Sequence, residues 1–292
     1  MYELIRAAEN TYYIDGPTKL GIFLRGDDAY LIDGGDSNGA AKRVLKHLSE
    51  QDWHLSAIFC THSHADHNGG NALLQEELGV PIYANGVEAP FIRDPYLGPM
   101  VLFGARPYHE IENRFMEAHP SKCQALSEAV LPEGLRILPL AGHAADQVGY
   151  ATADGVYFIA DSVVSRDQLD RLNVTYIYDI AEYLSALDRL EKMDAKLFIA
   201  SHAEPVEDIR PLAEANRAKT LEIADVVLHA CEEPACSDLV VQAVCRHYNI
   251  RMMYNNFASV SSTLRSYLSY LHSIGEVEIM LKDGLLLWHK KH

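Results

Sequence analysis

The sequence has little positive charge. Its 25 lysines and arginines stand against 41 aspartates and glutamates, a formal net charge of −16 over 292 residues. An excess of that sign repels phosphate backbones and anionic bilayers over most of a surface, so nucleic-acid and membrane partners are disfavoured from the outset. Cysteine is also scarce: Cys60, Cys123, Cys231, Cys236 and Cys245 are scattered with no CxxC pair. That argues against a disulfide framework and against a thiolate zinc site. No window offers the roughly 18 apolar residues of a membrane span. The opening "MYELIRAAENTYYIDGP" lacks the basic start and unbroken apolar run of a secretory signal. These absences lead to the expectation of a cytoplasmic protein. A nucleophile elbow is missing too.

What is present begins with enough apolar residues, 48%, to bury a large core. The first third reads as short strands at 11–15, 20–26 and 29–35, two of them forming a hairpin turned by "GDD" at 26–28. Apolar residues at helical spacing mark 39–50, and "LSAIFC" (55–60) is a buried strand, with Cys60 a small core residue. A helix at 70–79 closed by Gly79 and a strand at 80–85 complete an α/β layout. Five prolines break the rhythm over 86–130, which reads as a covering lid more than a sheet element. Strands at 135–143, 149–162 and 195–202 each end on His or Asp, with an amphipathic stretch at 179–193 between the last two. The tail reads as helices at 207–230, 237–249 and 259–275, then a hairpin at 276–291 turned by Asp283-Gly284.

The segment "THSHADHNGG" (61–70) sets three histidines and an aspartate within six positions. On extended backbone, residues two apart project to one side, so His62 and His64 can reach one ion, while Asp66 and His67 face a second point as the chain turns. Imidazole and carboxylate suit zinc or iron, and the lack of thiolates points to an open, catalytic arrangement rather than a closed structural one. One loop cannot saturate two metals. The strand ends supply His143, Asp161 and His202. Taken singly, a strand-end histidine is more often a satisfied buried side chain than a ligand; the shared ordering is what lifts these. The remaining histidines, His292 among them, read as ordinary polar residues, with His109 the least settled because it lies in the lid stretch.

In combination, HxHxDH at 62–67, Gly142-His143, Asp161, Ser201-His202 and the early "LIDGG" (31–35) resemble the metallo-β-lactamase-fold hydrolase superfamily over roughly residues 10–205. The resemblance implies a four-layer αβ/βα sandwich with a dinuclear site along one edge. It implies that His62, His64 and His143 hold one metal, that Asp66, His67 and His202 hold the other, and that Asp161 bridges them, with Asp33 steadying the loop. Residues 1–206 would form the catalytic domain, with 86–130 as a lid-like insert, and 207–292 a helical, winged-helix-like domain. Glyoxalase II shares the seven-ligand pattern and a helical C-terminal region, and the tail resembles the β-lactamase-like protein 2 group. A tyrosine that the lactonase branch places three residues after the bridging aspartate is Val164 here, and "SVVSRDQLDRLN" (162–173) has no clear counterpart to the basic residues that grip glutathione.

Two divalent ions about 3.5–4 Å apart bring the pKa of a shared water toward about 7 and polarise a carbonyl oxygen. The function so implied is a dinuclear hydrolase in which a metal-bridging hydroxide cleaves a small carbonyl ester, thioester or lactone, with Asp66 as general acid–base. Zinc is the first choice of metal, with iron or manganese as possible occupants. Two rival readings use the same residues: a phosphodiesterase or ribonuclease, and a mono-iron sulfur dioxygenase-type enzyme built on His62, His64 and Asp161. A non-enzymatic binding module ranks last. Nucleic acid is an improbable partner because the third tail helix offers only Arg265, while Tyr267 and Tyr270 should face the core or a second copy in a homodimer. Substrate contacts are sought at Arg106, Tyr108, Arg171 and Tyr176.

Overall fold

A computed structural model describes residues 2–112 and 117–291; positions 113–116 of the expected insert and His292 lie outside the described residues. Seven strands form one sheet in chain order: β1 (Glu3–Arg6), β2 (Thr11–Asp15), β3 (Leu20–Arg25), β4 (Asp28–Ile32), β5 (His54–Phe59), β6 (Ile82–Ala84) and β7 (Cys123–Ala125). The first four pair antiparallel and the rest parallel. Four more strands, β8 (Leu135–Pro139), β9 (Val148–Thr152), β10 (Val156–Ala160) and β11 (Leu197–Ala200), make a second sheet ordered β11-β10-β9-β8.

Period-two alternation distributes side chains between two cores. In β3, Leu20, Ile22 and Leu24 point outward to a cluster that includes Ala41, Val44 and Leu48 of helix α1 (Asn38–Glu50), whereas Phe23 points inward. There Phe23, Ile32 and Phe59 meet Tyr150, Phe158 and Ile199 of the second sheet. The outer face of that second sheet packs Ile159, Phe198 and Leu138 against helices from the second half of the chain. Helix, sheet, sheet, helix is the four-layer αβ/βα sandwich anticipated.

The other helices are α2 (Ala65–Asn68), α3 (Asn71–Leu78), α4 (Glu88–Arg93), α5 (Leu97–Phe103), α6 (Arg166–Leu172), α7 (Ile180–Glu191), α8 (Arg210–His229), α9 (Ser237–His247) and α10 (Tyr254–Ser273). The hairpin β12 (Val277–Lys282) and β13 (Leu285–Lys290) follows, its turn made by Asp283 and Gly284 at φ 51° and 79°. The helices of the tail share one apolar cluster with α7 and the second sheet; Val227, Val244 and Leu264 pack with Leu187 and Ile159. Tyr267 is fully buried there and Tyr270 partly so, which agrees with the core-facing expectation.

Two expectations need correction. The 86–130 stretch does contribute a sheet element, because β7 extends the first sheet beyond β6 with Ile82 opposite Cys123. Three residues among prolines are too short for an alternation signal. Helix α10 begins at Tyr254, five residues before the expected start at 259, because the Asn256 side chain accepts a hydrogen bond from the Met253 N–H (2.7 Å) and so caps a turn that lacks Ser, Thr or Asp at the usual position.

Candidate metal centre

Strand register gathers the seven residues. Strands β4 and β5 run parallel with Ile32 beside Phe59, so Asp33 and the Thr61–His67 loop leave the sheet together. Strands β10 and β11 run parallel with Ala160 beside Ala200, so Asp161 and His202 leave the second sheet at one edge. The two edges are tied by the Val148 N–H donating to the Thr61 carbonyl (3.0 Å) and by the Tyr150 hydroxyl donating to the Cys60 carbonyl (3.1 Å). His143 enters from the β8–β9 connection. Its predecessor Gly142 sits at φ 132°, where a Cβ would collide with the Tyr183 backbone nitrogen. Only glycine fits there.

Hydrogen bonding fixes which face each imidazole turns inward. His143 Nδ1 donates to the Tyr176 carbonyl and His202 Nδ1 to the Pro17 carbonyl, each at 3.0 Å. His67 Nδ1 donates to Asp33 Oδ2 (2.8 Å). The Thr61 hydroxyl donates to that same oxygen (2.8 Å), which leaves it to accept from His62 Nδ1 at 3.0 Å. Four Nε2 atoms therefore face one cleft, each ring held by a partner behind it.

At one focus, His62 Nε2 and His143 Nε2 each lie 2.9 Å from His64 Nδ1. At the other, His202 Nε2 stands 3.1 Å from Asp66 Oδ2, and His67 Nε2 stands 3.7 Å from the same oxygen. Asp161 spans the two foci, with Oδ1 3.3 Å from His67 Nε2 and Oδ2 3.3 Å from His202 Nε2 and 3.5 Å from His143 Nε2. His67 Nε2 and Asp161 Oδ1 are buried without a hydrogen-bond partner. Three trios, His62/His64/His143, His62/His67/Asp161 and Asp66/His67/His202, each bring their donor atoms within 4.8 Å of one another. One proton on His64 cannot satisfy two facing lone pairs, and buried orphan atoms are costly. A nitrogen and oxygen donor set converging in this way fits divalent cations at both foci.

The charges divide accordingly. Burial pushes His62 well below the ordinary imidazole range, holds His64 below it and takes His143 to about 4. Burial works the same way on His67 and His202, but the carboxylates of Asp161 and Asp66 outweigh it. They hold His67 well above the usual value and raise His202 to about 10. Conversely, burial alone would raise Asp66 and Asp161, yet the two cationic rings keep both below the normal carboxylate range.

Of the four residues considered for substrate contact, only Tyr176 lies at the site, edge-on to the His64 and His143 rings at 5.2 and 5.7 Å. Arg171 is exposed on α6, Arg106 borders a separate surface groove, and the Tyr108 hydroxyl donates to the Tyr254 carbonyl. Three further side chains matter that spacing did not reveal. Buried Asn68 donates to the carbonyls of His62 (2.8 Å) and His64 (2.9 Å), pinning the loop between them. Glu88, 2% exposed, accepts from the Ser63 N–H (2.9 Å), the Ser63 hydroxyl (2.5 Å) and the Asp146 N–H (3.0 Å), joining the loop of His62 to that of His143.

The third is Asn216 of α8, which accepts from the Val164 N–H (3.0 Å) and the Tyr183 hydroxyl (3.1 Å) and donates to the Val164 carbonyl (2.9 Å). It fastens the loop that follows Asp161. Replacing it by alanine strands these buried groups, so Asn216→Ala should lower unfolding free energy by about 3 kcal/mol, read from denaturant titration. An unchanged midpoint would deny Asn216 this role.

Residues 9–202 match the model of the metallo-beta-lactamase superfamily. Among solved structures, a metallo-beta-lactamase family protein from Thermus thermophilus is similar at 20% identity and TM-score 0.74, covering 97% of this chain and 99% of that one. A beta-lactamase domain protein from Burkholderia ambifaria is similar at 19% identity and TM-score 0.75, covering 99% and 95%. A hydroxyacylglutathione hydrolase from a Shewanella species is 26% identical over 136 residues, 47% of this chain. The chain spans only 43% of that relative's length, and its matches to other hydroxyacylglutathione hydrolases are shorter still.

Proposed function

The chain belongs to the metallo-beta-lactamase superfamily, and on that premise we propose that it is a hydrolase that uses two divalent metal ions to cleave a small carbonyl ester, thioester or lactone. The observation that carries this reading is the placement of Asp161, whose two oxygens face His67 on one side and His143 and His202 on the other. His62, His64 and His143 would hold one ion, and Asp66, His67 and His202 the second, with Asp161 touching both. The full second set supports two ions over a single iron. Zinc heads the candidates, and the same donors accept iron or manganese. When bound, such a pair brings the pKa of water toward about 7 and polarises a carbonyl oxygen.

The carboxylates divide the remaining work. Asp161 is 7% exposed at its side chain and Asp66 41%. Asp66 Oδ2 also accepts from the Thr18 hydroxyl at 3.3 Å, which orients it. The open, oriented carboxylate is the one that can take a proton from the attacking water and hand it to the departing oxygen or sulfur as the carbonyl carbon exchanges that bond for one to hydroxyl. Among the described residues no helix is long and apolar enough to cross a membrane. A small-molecule substrate and a cytoplasmic location complete the proposal.

The test is elemental analysis of protein purified without added metal, with assays on neutral aryl esters and on single-stranded RNA at low salt. Two ions per chain, and ester turnover lost to a chelator and restored by metal, are expected. Full turnover by the metal-free protein would overturn the reading, and RNA cleavage in place of ester cleavage would make it a phosphodiesterase.

Metal uptake should also release protons. His67 and His202 are held protonated in the metal-free cleft, whereas His62, His64 and His143 are already neutral. Loading at pH 7 should therefore release on the order of two protons, and affinity should weaken as pH falls. Calorimetry in buffers of different ionisation enthalpy counts them; a count of zero contradicts the assignment of His67 and His202.

A further inference from the structure

Beside the two foci lies a cavity of about 350 Å³, at the small end of the range for ligand pockets. His143, Asp161 and His202 form its floor. Its walls carry Val164, Leu172, Val174, Ile250 and Val260, with the neutral Gln168, Thr175, Asn256 and Ser259 between them. Among the described residues, no lysine or arginine lines it. One wall belongs to the tail: Ile250 precedes α10, and Asn256, Ser259 and Val260 lie in its first two turns.

Two of the polar groups are already engaged. Asn256 Oδ1 accepts from the Met253 N–H, and the Ser259 hydroxyl donates to the Asn256 carbonyl. Gln168, Thr175 and Tyr176 add neutral polar groups to the walls, but among the described residues no fixed cation joins them other than what sits at the floor. A substrate carboxylate would lose hydration here without gaining a cationic partner from the walls, which is expensive, while methylenes gain by burial.

We propose that this cavity is the acyl-binding subsite and that it selects an uncharged substrate carrying an apolar acyl arm of several carbons, in preference to an acetyl group or to an anionic conjugate such as a glutathione thioester. This rests on the hydrolase reading for its carbonyl at the floor, but the selectivity itself is a property of the walls. It also gives α10 a task, because the tail helix closes the side of the cavity away from the sheets.

The experiment uses the full chain loaded with zinc. Turnover is compared for phenyl acetate, phenyl hexanoate and S-hexanoylglutathione, and binding of the uncleaved analogues acetanilide and hexananilide is measured by calorimetry. Four added methylenes should raise kcat/KM from acetate to hexanoate, and tighten anilide binding, on the order of a hundredfold, with the glutathione thioester below the hexanoate. Val260→Phe should bring both ratios toward one. Leu172→Arg, at an exposed position that folding tolerates, should lower the hexanoate preference and raise relative turnover of the anionic thioester.

Turnover with no chain-length preference, or with the thioester favoured, overturns the subsite while leaving the hydrolase standing. Selective anilide binding without ester turnover does the reverse. Equal binding of the two anilides also overturns the subsite.

Discussion

Protein carrying Asp161→Ala should purify with at most one metal ion per chain and lose ester hydrolysis by about a thousandfold or more, since deleting a ligand exceeds the 10–100-fold effect of deleting a ligand's partner. Among the described residues, Asp161 is the side chain that offers one oxygen toward His67 and the other toward His143 and His202. Without it the Nε2 atoms of His67 and His202 face only Asp66, which is the more exposed of the two carboxylates. Elemental analysis and turnover should fall together. Two ions per chain with wild-type turnover in this variant would remove the basis of the dinuclear reading.

The second large effect is expected at a residue that touches no proposed metal. Asp33 is buried, adopts φ 62°, and receives three donors: the Thr61 N–H on Oδ1 (2.7 Å), and the Thr61 hydroxyl and His67 Nδ1 on Oδ2 (both 2.8 Å). Asparagine tolerates the left-handed backbone, so Asp33→Asn isolates the chemistry from strain. The amide keeps one acceptor oxygen and turns an NH₂ either toward the Thr61 N–H or toward the Thr61 hydroxyl and His67 Nδ1, all of which donate to the carboxylate. His67 then loses the bond that fixes its ring, and Thr61 can no longer orient His62. Metal affinity should drop about 10–100-fold, and the metal-free protein should lose about 2 kcal/mol of stability from the stranded donors. Competition with a chromophoric chelator measures the first and denaturant titration the second. Unchanged affinity would show that ring orientation is set elsewhere.

The seven converging positions were legible because the chemistry restricts which residue types can serve and because strands deliver them at recognisable ends: "AIFC" before the histidine run, "YFIAD" and "LFIASH" later. The α/β layout followed from short apolar strands such as 20–26 and from helical spacing in 39–50, whereas the four-layer sandwich came with the family resemblance carried by the His and Asp motifs. What escaped is the set that acts on backbone across long sequence separations. Asn216 grips Val164 from 52 residues away, and Glu88 reaches Asp146 from 58. Neither asparagine nor glutamate in a helix carries a local signal for such a partner. Asn68 was hidden for the opposite reason, lying so close to His67 that it reads as loop polarity. Strand β7 is held by pairing with β6 rather than by any pattern of its own.

The grip of Asn216 on Val164 has a bearing on how the protein comes into being. A chain elongating on the ribosome releases all seven donors by residue 202, yet the clasp on the loop after Asp161 arrives with α8, and the last wall of the cavity with α10. On the two-ion reading proposed above, lasting capture of the pair would be a late step of biogenesis, following the final third of translation rather than the moment the histidines first meet water.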